Sequence, residues 1–143
     1  MICCDTSFLV SLYGYDVHTA KAIATLRSSG TALFCSLFNE YELVNAIHLR
    51  VWRGLSTREE ANVFLASFRA DLEQSVLRRP TVNLAAVLVE AQRLSTTFTA
   101  HGGHRAFDIL HVAAALYLGA LDFLTFDVNQ RKLATAAGLK PGP

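Results

Sequence analysis

Cysteine is scarce and odd in number: the 143-residue chain has three, Cys3, Cys4 and Cys35. Each stands in an apolar, strand-like run and none has the spacing of a metal-ligand pair, so a disulfide framework and a zinc-finger site are excluded. The three are expected to be reduced core residues of a cytoplasmic protein. An excess of charge of one sign is also missing. Thirteen Lys and Arg against twelve Asp and Glu leave a formal net charge of +1, too little for a general attraction to nucleic acid, so any such binding must come from a local patch or from metal. There is no long hydrophobic run. The most apolar stretch, Ile109 to Leu121, is shorter than a bilayer requires, is bounded by Asp108 and Asp122, and contains His111; it is expected to be a buried helix, with no membrane span. The apolar start is accompanied by Asp5 rather than by the basic residues that open an export signal, so export is not expected.

What is present is a large apolar fraction, 52% against 17% charged. That balance excludes disorder and implies elements buried on more than one side. The length suits one domain, residues 1–143, able to bury a core without disulfides or structural metal.

Strand and helix patterns alternate along the chain. Met1 to Cys4 reads as a strand and Thr6 to Tyr13 as a short helix ending near Gly14. A second helix is expected from about Val17 to Arg27, then "TALFCS" as the second strand. Asn39 to Arg53 carries Leu43, Val44, Ile47 and Val51 at helical spacing. "STRE" reads as a capping box, with Ser56 as cap and Glu59 reaching back, for a helix running to about Leu72. These two helices form an antiparallel hairpin. "SVLRRP" suits a short edge strand. Helices follow from Asn83 to about Phe98 and from Asp108 to Leu118, the loop "HGGHR" lying between them. "LDFLTF" is the next strand and Asn129 to Ala137 the last helix, before a terminal "GLKPGP". Such alternation predicts an α/β fold, a parallel sheet with helices on both faces and functional groups outside the C-terminal strand ends.

Acids fall at those places. The opening "MICCDTSFLVSLYG" puts Asp5 at the end of the first strand, where "DTS" also starts a helix. Glu42 is expected in the first turn of the helix after the second strand, Asp108 at the start of the apolar helix, and Asp127 after "FLT". One such acid is ordinarily a cap. Several carboxylates at one sheet edge repel one another, so they persist either with raised pKa values or around a cation, and oxygen-only ligands favour Mg²⁺ or Mn²⁺. Ser7 either holds a carboxylate or, with Thr6, caps the short helix. Asn129 either supports the site or caps the last helix, and Thr125 precedes Asp127. His111, three residues after Asp108 and so on roughly the same helix side, is a satisfied buried histidine or a proton carrier. His101 and His104 flank two glycines in what reads as a surface loop. Arg105 is placed to meet a phosphate, and Arg50, Arg53, Arg78 and Arg79 to extend a basic track. Trp52, Phe64 and Phe68 on the hairpin read as core or partner contacts.

Four motifs together, the "DTS" strand end, "SLFNEYEL", "FDILHVAAAL" and "LTFD", resemble the PIN-domain family and, within it, the VapC-type toxins of type II toxin–antitoxin pairs. The resemblance implies a PIN-like three-layer α/β/α sandwich with a mainly parallel sheet and a protruding helical hairpin. It places the family's four acids on Asp5, Glu42, Asp108 and Asp127 as metal ligands, with Glu40 the rival of Glu42, and sets Thr6, Ser7 and Asn129 at accompanying polar positions. It implies a Mg²⁺- or Mn²⁺-dependent endoribonuclease with an RNA substrate, a cognate antitoxin that contacts the hairpin, and a homodimer. Two alternatives keep the fold: a non-toxin PIN nuclease of RNA processing, and a catalytically inactive PIN-like binding module. A phosphotransferase using Asp5 as nucleophile would resemble the haloacid-dehalogenase-like enzymes, which need an acid where Ser7 stands.

Overall fold

Ile2, Cys3 and Cys4 form the middle strand of a five-stranded sheet in the computed structural model, which describes all 143 residues. This strand, β1 (Ile2–Cys4), lies between β2 (Leu33–Phe34) and β4 (Asp122–Leu124). Outside them run β3 (Leu77–Arg78) and β5 (Lys140–Gly142), giving the order β3-β2-β1-β4-β5 with every pair parallel. Parallel neighbours need crossover segments, and these are helices.

Alternate side chains of a strand point to opposite faces, so the sheet sorts its residues into two cores. Cys4, Leu33 and Leu124 join a cluster with α1 (Thr6–Tyr13), α3 (Leu37–Trp52) and α4 (Arg58–Glu73), filled by Phe8, Leu43, Ile47 and Phe68. On the same side Ala22 of α2 (Thr19–Ser29) joins it. Cys3 and Phe123 join the other cluster, with Val87 and Leu94 of α5 (Leu84–Leu94), Val112 of α7 (Ala106–Tyr117) and Leu133 of α8 (Val128–Ala136). Between α5 and α7 the helix continues as a π-helical segment, Ser95–Thr99, and a single turn, α6 (Ala100–Gly102). All three cysteines are buried and unpaired. No helix is long and apolar enough to cross a membrane.

The three-layer α/β/α sandwich and its hairpin, α3 against α4, are therefore as expected, and the sheet is parallel throughout. Several details differ. The terminal Lys-Pro-Gly forms β5, because an edge strand tolerates a proline whose missing N–H faces away from the ladder. The second capping box is one residue later than expected, with Thr57 as cap and Glu60 reaching back. Ser36 caps α3 with Asn39 as its reciprocal partner, so Asn39 lies inside the first turn and Glu42 falls in the second. The segment 101–105 is exposed and its second half is a loop, as expected, but the His104 side chain is buried within it, its ring occupying the space where a side chain at Gly102 would be. On the hairpin, Phe64 and Phe68 are core residues whereas Trp52, at the end of α3, is 80% exposed.

The chain leaves β1 toward β2 on one side and returns to β4 on the other, so the ends of β1 and β4 flank a topological switch point, where open α/β sheets have their crevice. Replacing Phe123, wholly buried in the strand beside β1, should test this core: Phe123→Ala is expected to lower unfolding free energy by about 3–5 kcal/mol in urea titration. The exposed Trp52→Ala control should stay within about 0.5 kcal/mol.

Candidate active site

The switch-point crevice is a cavity of about 400 Å³ whose walls include Asp5, Thr6, Ser7, Glu42, Arg105, Asp108, Asp127 and Gln130. All four candidate acids meet there, each from a different element. Asp5 terminates β1, where its N–H continues the ladder to Leu124 O at 3.0 Å, and it also caps α1 by accepting from Phe8 N–H at 2.9 Å. The residue is 1% exposed. Ser7 donates to it, with Oγ 2.8 and 2.9 Å from the two oxygens, and Thr125 Oγ1 donates to Oδ2 at 2.7 Å.

Those two hydroxyls also hold the turn after β4. Ser7 Oγ accepts from the N–H groups of Phe126 and Asp127 at 2.9 and 3.2 Å, and Thr125 Oγ1 accepts from Asp127 N–H at 3.0 Å. Asp127 in turn caps α8, accepting from Gln130 N–H at 2.8 Å. One buried carboxylate thereby ties the end of β1 to the end of β4. Burial still outweighs the donors: it pushes the Asp5 carboxyl up to about 6, against the lowering effect of Phe8, Thr125 and Ser7.

Asp108 is buried in the first turn of α7 and is gripped by Arg105, with Nε 2.9 Å from Oδ2 and Nη2 3.2 Å from Oδ1. The same guanidinium reaches Asp127 Oδ2 at 3.4 Å. Arg105 is therefore the cation between two of the acids, although its side chain is 73% exposed at the cavity mouth. Hydrogen bonding to Asp108 raises its own pKa further. Gln130 Nε2 donates to Asp108 Oδ1 at 3.4 Å, while Gln130 Oε1 is buried without a partner.

Glu42 is half-buried and accepts a 2.7 Å hydrogen bond from His111 Nε2, which holds its carboxyl below the ordinary range despite partial burial. The rival Glu40 pairs with Arg79 instead, away from the cavity. Thr6, Ser7, Thr125 and His111 are thus at or directly behind the cluster. Asn129 is not brought there: it is exposed on α8, and the next residue, Gln130, points inward. The spacing Asp127-x-x-Gln130 is a capping-box pattern, and reading it would have singled out Gln130. Of the arginines, only Arg105 lines the cavity. Arg50 bonds Ser56 and Tyr15 O and Arg79 pairs with Glu40, so neither reaches the cavity.

The family model described as "PIN domain" matches residues 2–136. The chain belongs to the PIN-domain family. Among solved structures, this PIN domain is similar to VapC20 of Mycobacterium tuberculosis, described as a sarcin–ricin loop cleaving toxin, at 18% identity and a TM-score of 0.69, with both chains covered completely. It is similar also to FitAcB of Neisseria gonorrhoeae at 19% identity and a TM-score of 0.60, covering 100% of this chain and 97% of that one. At these identities the likeness establishes the fold. A comparison with curated proteins finds no significant match.

The raised pKa of Asp5 has a definite sign for stability. Below about pH 4 the carboxyl is protonated folded and unfolded alike, and no penalty applies. As pH rises toward 6 the unfolded chain loses that proton first, so folding stability falls and remains lower above pH 6. Asp5→Asn should abolish this slope, leaving the metal-free variant more stable than wild type at pH 7.5 by up to about 3 kcal/mol and removing that advantage near pH 4. Thermal unfolding in EDTA across pH 4–8 measures it, and parallel curves for the two proteins would contradict it.

Proposed function

We propose that this PIN domain is a divalent-metal-dependent endoribonuclease that serves as the toxin of a VapBC-type toxin–antitoxin pair. The observation that carries the reading is the meeting of Asp5, Glu42, Asp108 and Asp127 in one cavity at the switch point of the sheet. Four carboxylates lining one cavity, with Arg105 bonded only to Asp108 and Asp127, leave room for a further cation.

The residues suit Mg²⁺ or Mn²⁺. The acids offer oxygen donors alone, the hard-ligand set those ions take, and the buried, unpartnered Gln130 Oε1 adds a further oxygen. No three such side chains converge as they stand on a point that could hold an ion, so Mg²⁺ would be held partly through its own waters and substrate phosphate oxygens. Asp5, Glu42 and Asp108 would hold it, with Asp127 as ligand or through water. When bound, such a cation lowers the pKa of water and offsets charge on a phosphate under attack.

The chain's own groups do the rest. Ser7 and Thr125 keep the Asp5 carboxylate in one orientation, and Gln130 supports Asp108. Arg105, exposed at the mouth, is placed to meet an RNA phosphate in bidentate fashion once its carboxylate partners are engaged elsewhere. VapC20, described as a toxin that cleaves the sarcin–ricin loop, supports an RNA substrate by likeness of fold. The exposed Trp52, Leu55 and Val63 on the hairpin supply apolar surface for an antitoxin, and Leu84, Leu88, Val89 and Tyr117 supply it for a second copy.

Purified protein free of antitoxin should cut RNA with Mg²⁺ or Mn²⁺ and not with EDTA. Asp5→Asn and Asp108→Asn are each expected to reduce cleavage by about 10²-fold or more, as read by gel analysis of total RNA. Undiminished cleavage by either variant would remove that residue from the mechanism. Calorimetry showing no Mg²⁺ or Mn²⁺ uptake would favour an inactive binding module, and cleavage without growth arrest on expression a processing nuclease.

A further inference from the structure

Two side chains three residues apart on α3, Asn39 and Glu42, grip the two nitrogens of one imidazole on α7. Asn39 is wholly buried, and both ends of its amide are assigned by groups that can act in only one way. Ser36 N–H, a donor, lies 2.7 Å from Asn39 Oδ1, and the Cys4 carbonyl, an acceptor, lies 3.2 Å from Asn39 Nδ2. The amide nitrogen therefore faces His111 Nδ1, at 3.1 Å, and must donate to it. A nitrogen that accepts carries no proton. In the neutral ring the proton is then on Nε2, 2.7 Å from Glu42 Oε2 and 3.2 Å from the Thr6 hydroxyl.

We propose that His111 is a positioning residue for Glu42: a neutral ring held by Asn39 as the Nε2–H tautomer, which fixes the second acid of the site relative to Asp108. The ring is 2% exposed, so it is held by its neighbours and not by solvent. It also stands one helical turn beyond Asp108 on α7, so the hydrogen bond to Glu42 sets the acid of α3 against the acid of α7. Partners that orient a ligand carboxylate in this way typically change metal affinity or activity by about 10–100-fold when lost. The anchor of the relay is the backbone of Cys4, the residue before Asp5, so the placement of Glu42 is referred to the same strand end that carries Asp5.

The inference rests on the reading of Glu42 as part of a metal-binding acid cluster, and two measurements separate its failure from the failure of that reading. Nitrogen NMR of ¹⁵N-histidine-labelled, metal-free protein at pH 7.5 should show His111 with a bare Nδ1 and a protonated Nε2, and Glu42→Gln should shift the Nε2–H signal. A proton on Nδ1 would overturn the proposal, whatever the protein cleaves. Second, Mn²⁺ binding by calorimetry and RNA cleavage are compared for His111→Phe, which keeps ring volume without a donor, and His111→Gln, whose amide nitrogen can still donate. The expected result is a 10–100-fold loss of Mn²⁺ affinity and of kcat with KM little changed in the first, and recovery of most of that loss in the second. Equal affinity and cleavage in His111→Phe and wild type, or equal losses in both variants, would overturn it. Should wild type bind no Mn²⁺ at all, the metal reading fails and the NMR result alone decides the tautomer.

Discussion

A carboxylate that is almost completely removed from water must find its solvation in the protein, and at Asp5 it does so through a backbone N–H and two hydroxyls. Those donors come from two places in the chain, the first turn of α1 and the end of β4, separated by more than a hundred residues of sequence. Because Ser7 and Thr125 also accept from the backbone that leads into Asp127, satisfying Asp5 and positioning Asp127 are one event. The interlock lies where the sheet changes direction. A groove is unavoidable there because the helices following β1 and β4 diverge to different layers.

The other two acids reach the groove by different means. Asp108 is held in place by charge, through a guanidinium that it shares with Asp127 and an amide from α8. Glu42 is held by a ring from α7 that is itself held by α3. The result is a graded site: Asp5 is buried and costly to ionise, Asp108 is buried beside an arginine, and Glu42 and Asp127 are open to the cavity. A site of this kind is stabilised by positive charge from any source, and Arg105 is the source that the chain itself supplies.

Much of this was legible in the residues. The β1–α1 junction could be read directly because an apolar run, an acid and two hydroxyls specify a strand end and a helix cap by local chemistry alone. The helical hairpin followed from periodicity, whereas the preference for Glu42 over Glu40 rested on a family pattern; in three dimensions Glu42 lines the cavity and Glu40 turns to Arg79. Three features were less legible. The strand at Lys140–Gly142 hides behind proline and glycine, whose local signal is for a turn. Gln130 and Asn39 stand near helix starts with no local mark of function, and nothing in their spacing says that their amides extend to Asp108 and His111.

Local patterning sets the alternation of elements, the two-sided burial of the strands, and the presence of acids at strand ends and helix starts, because all of these arise from interactions within about one turn of helix or one strand. Which acids share a cavity, which polar neighbours hold them, and which nitrogen of His111 carries its proton emerge from long-range contacts. Most of those depend on groups 22 to 120 residues apart being brought within hydrogen-bond distance, and such proximity is set by the order of strands in the sheet, which no local spacing encodes.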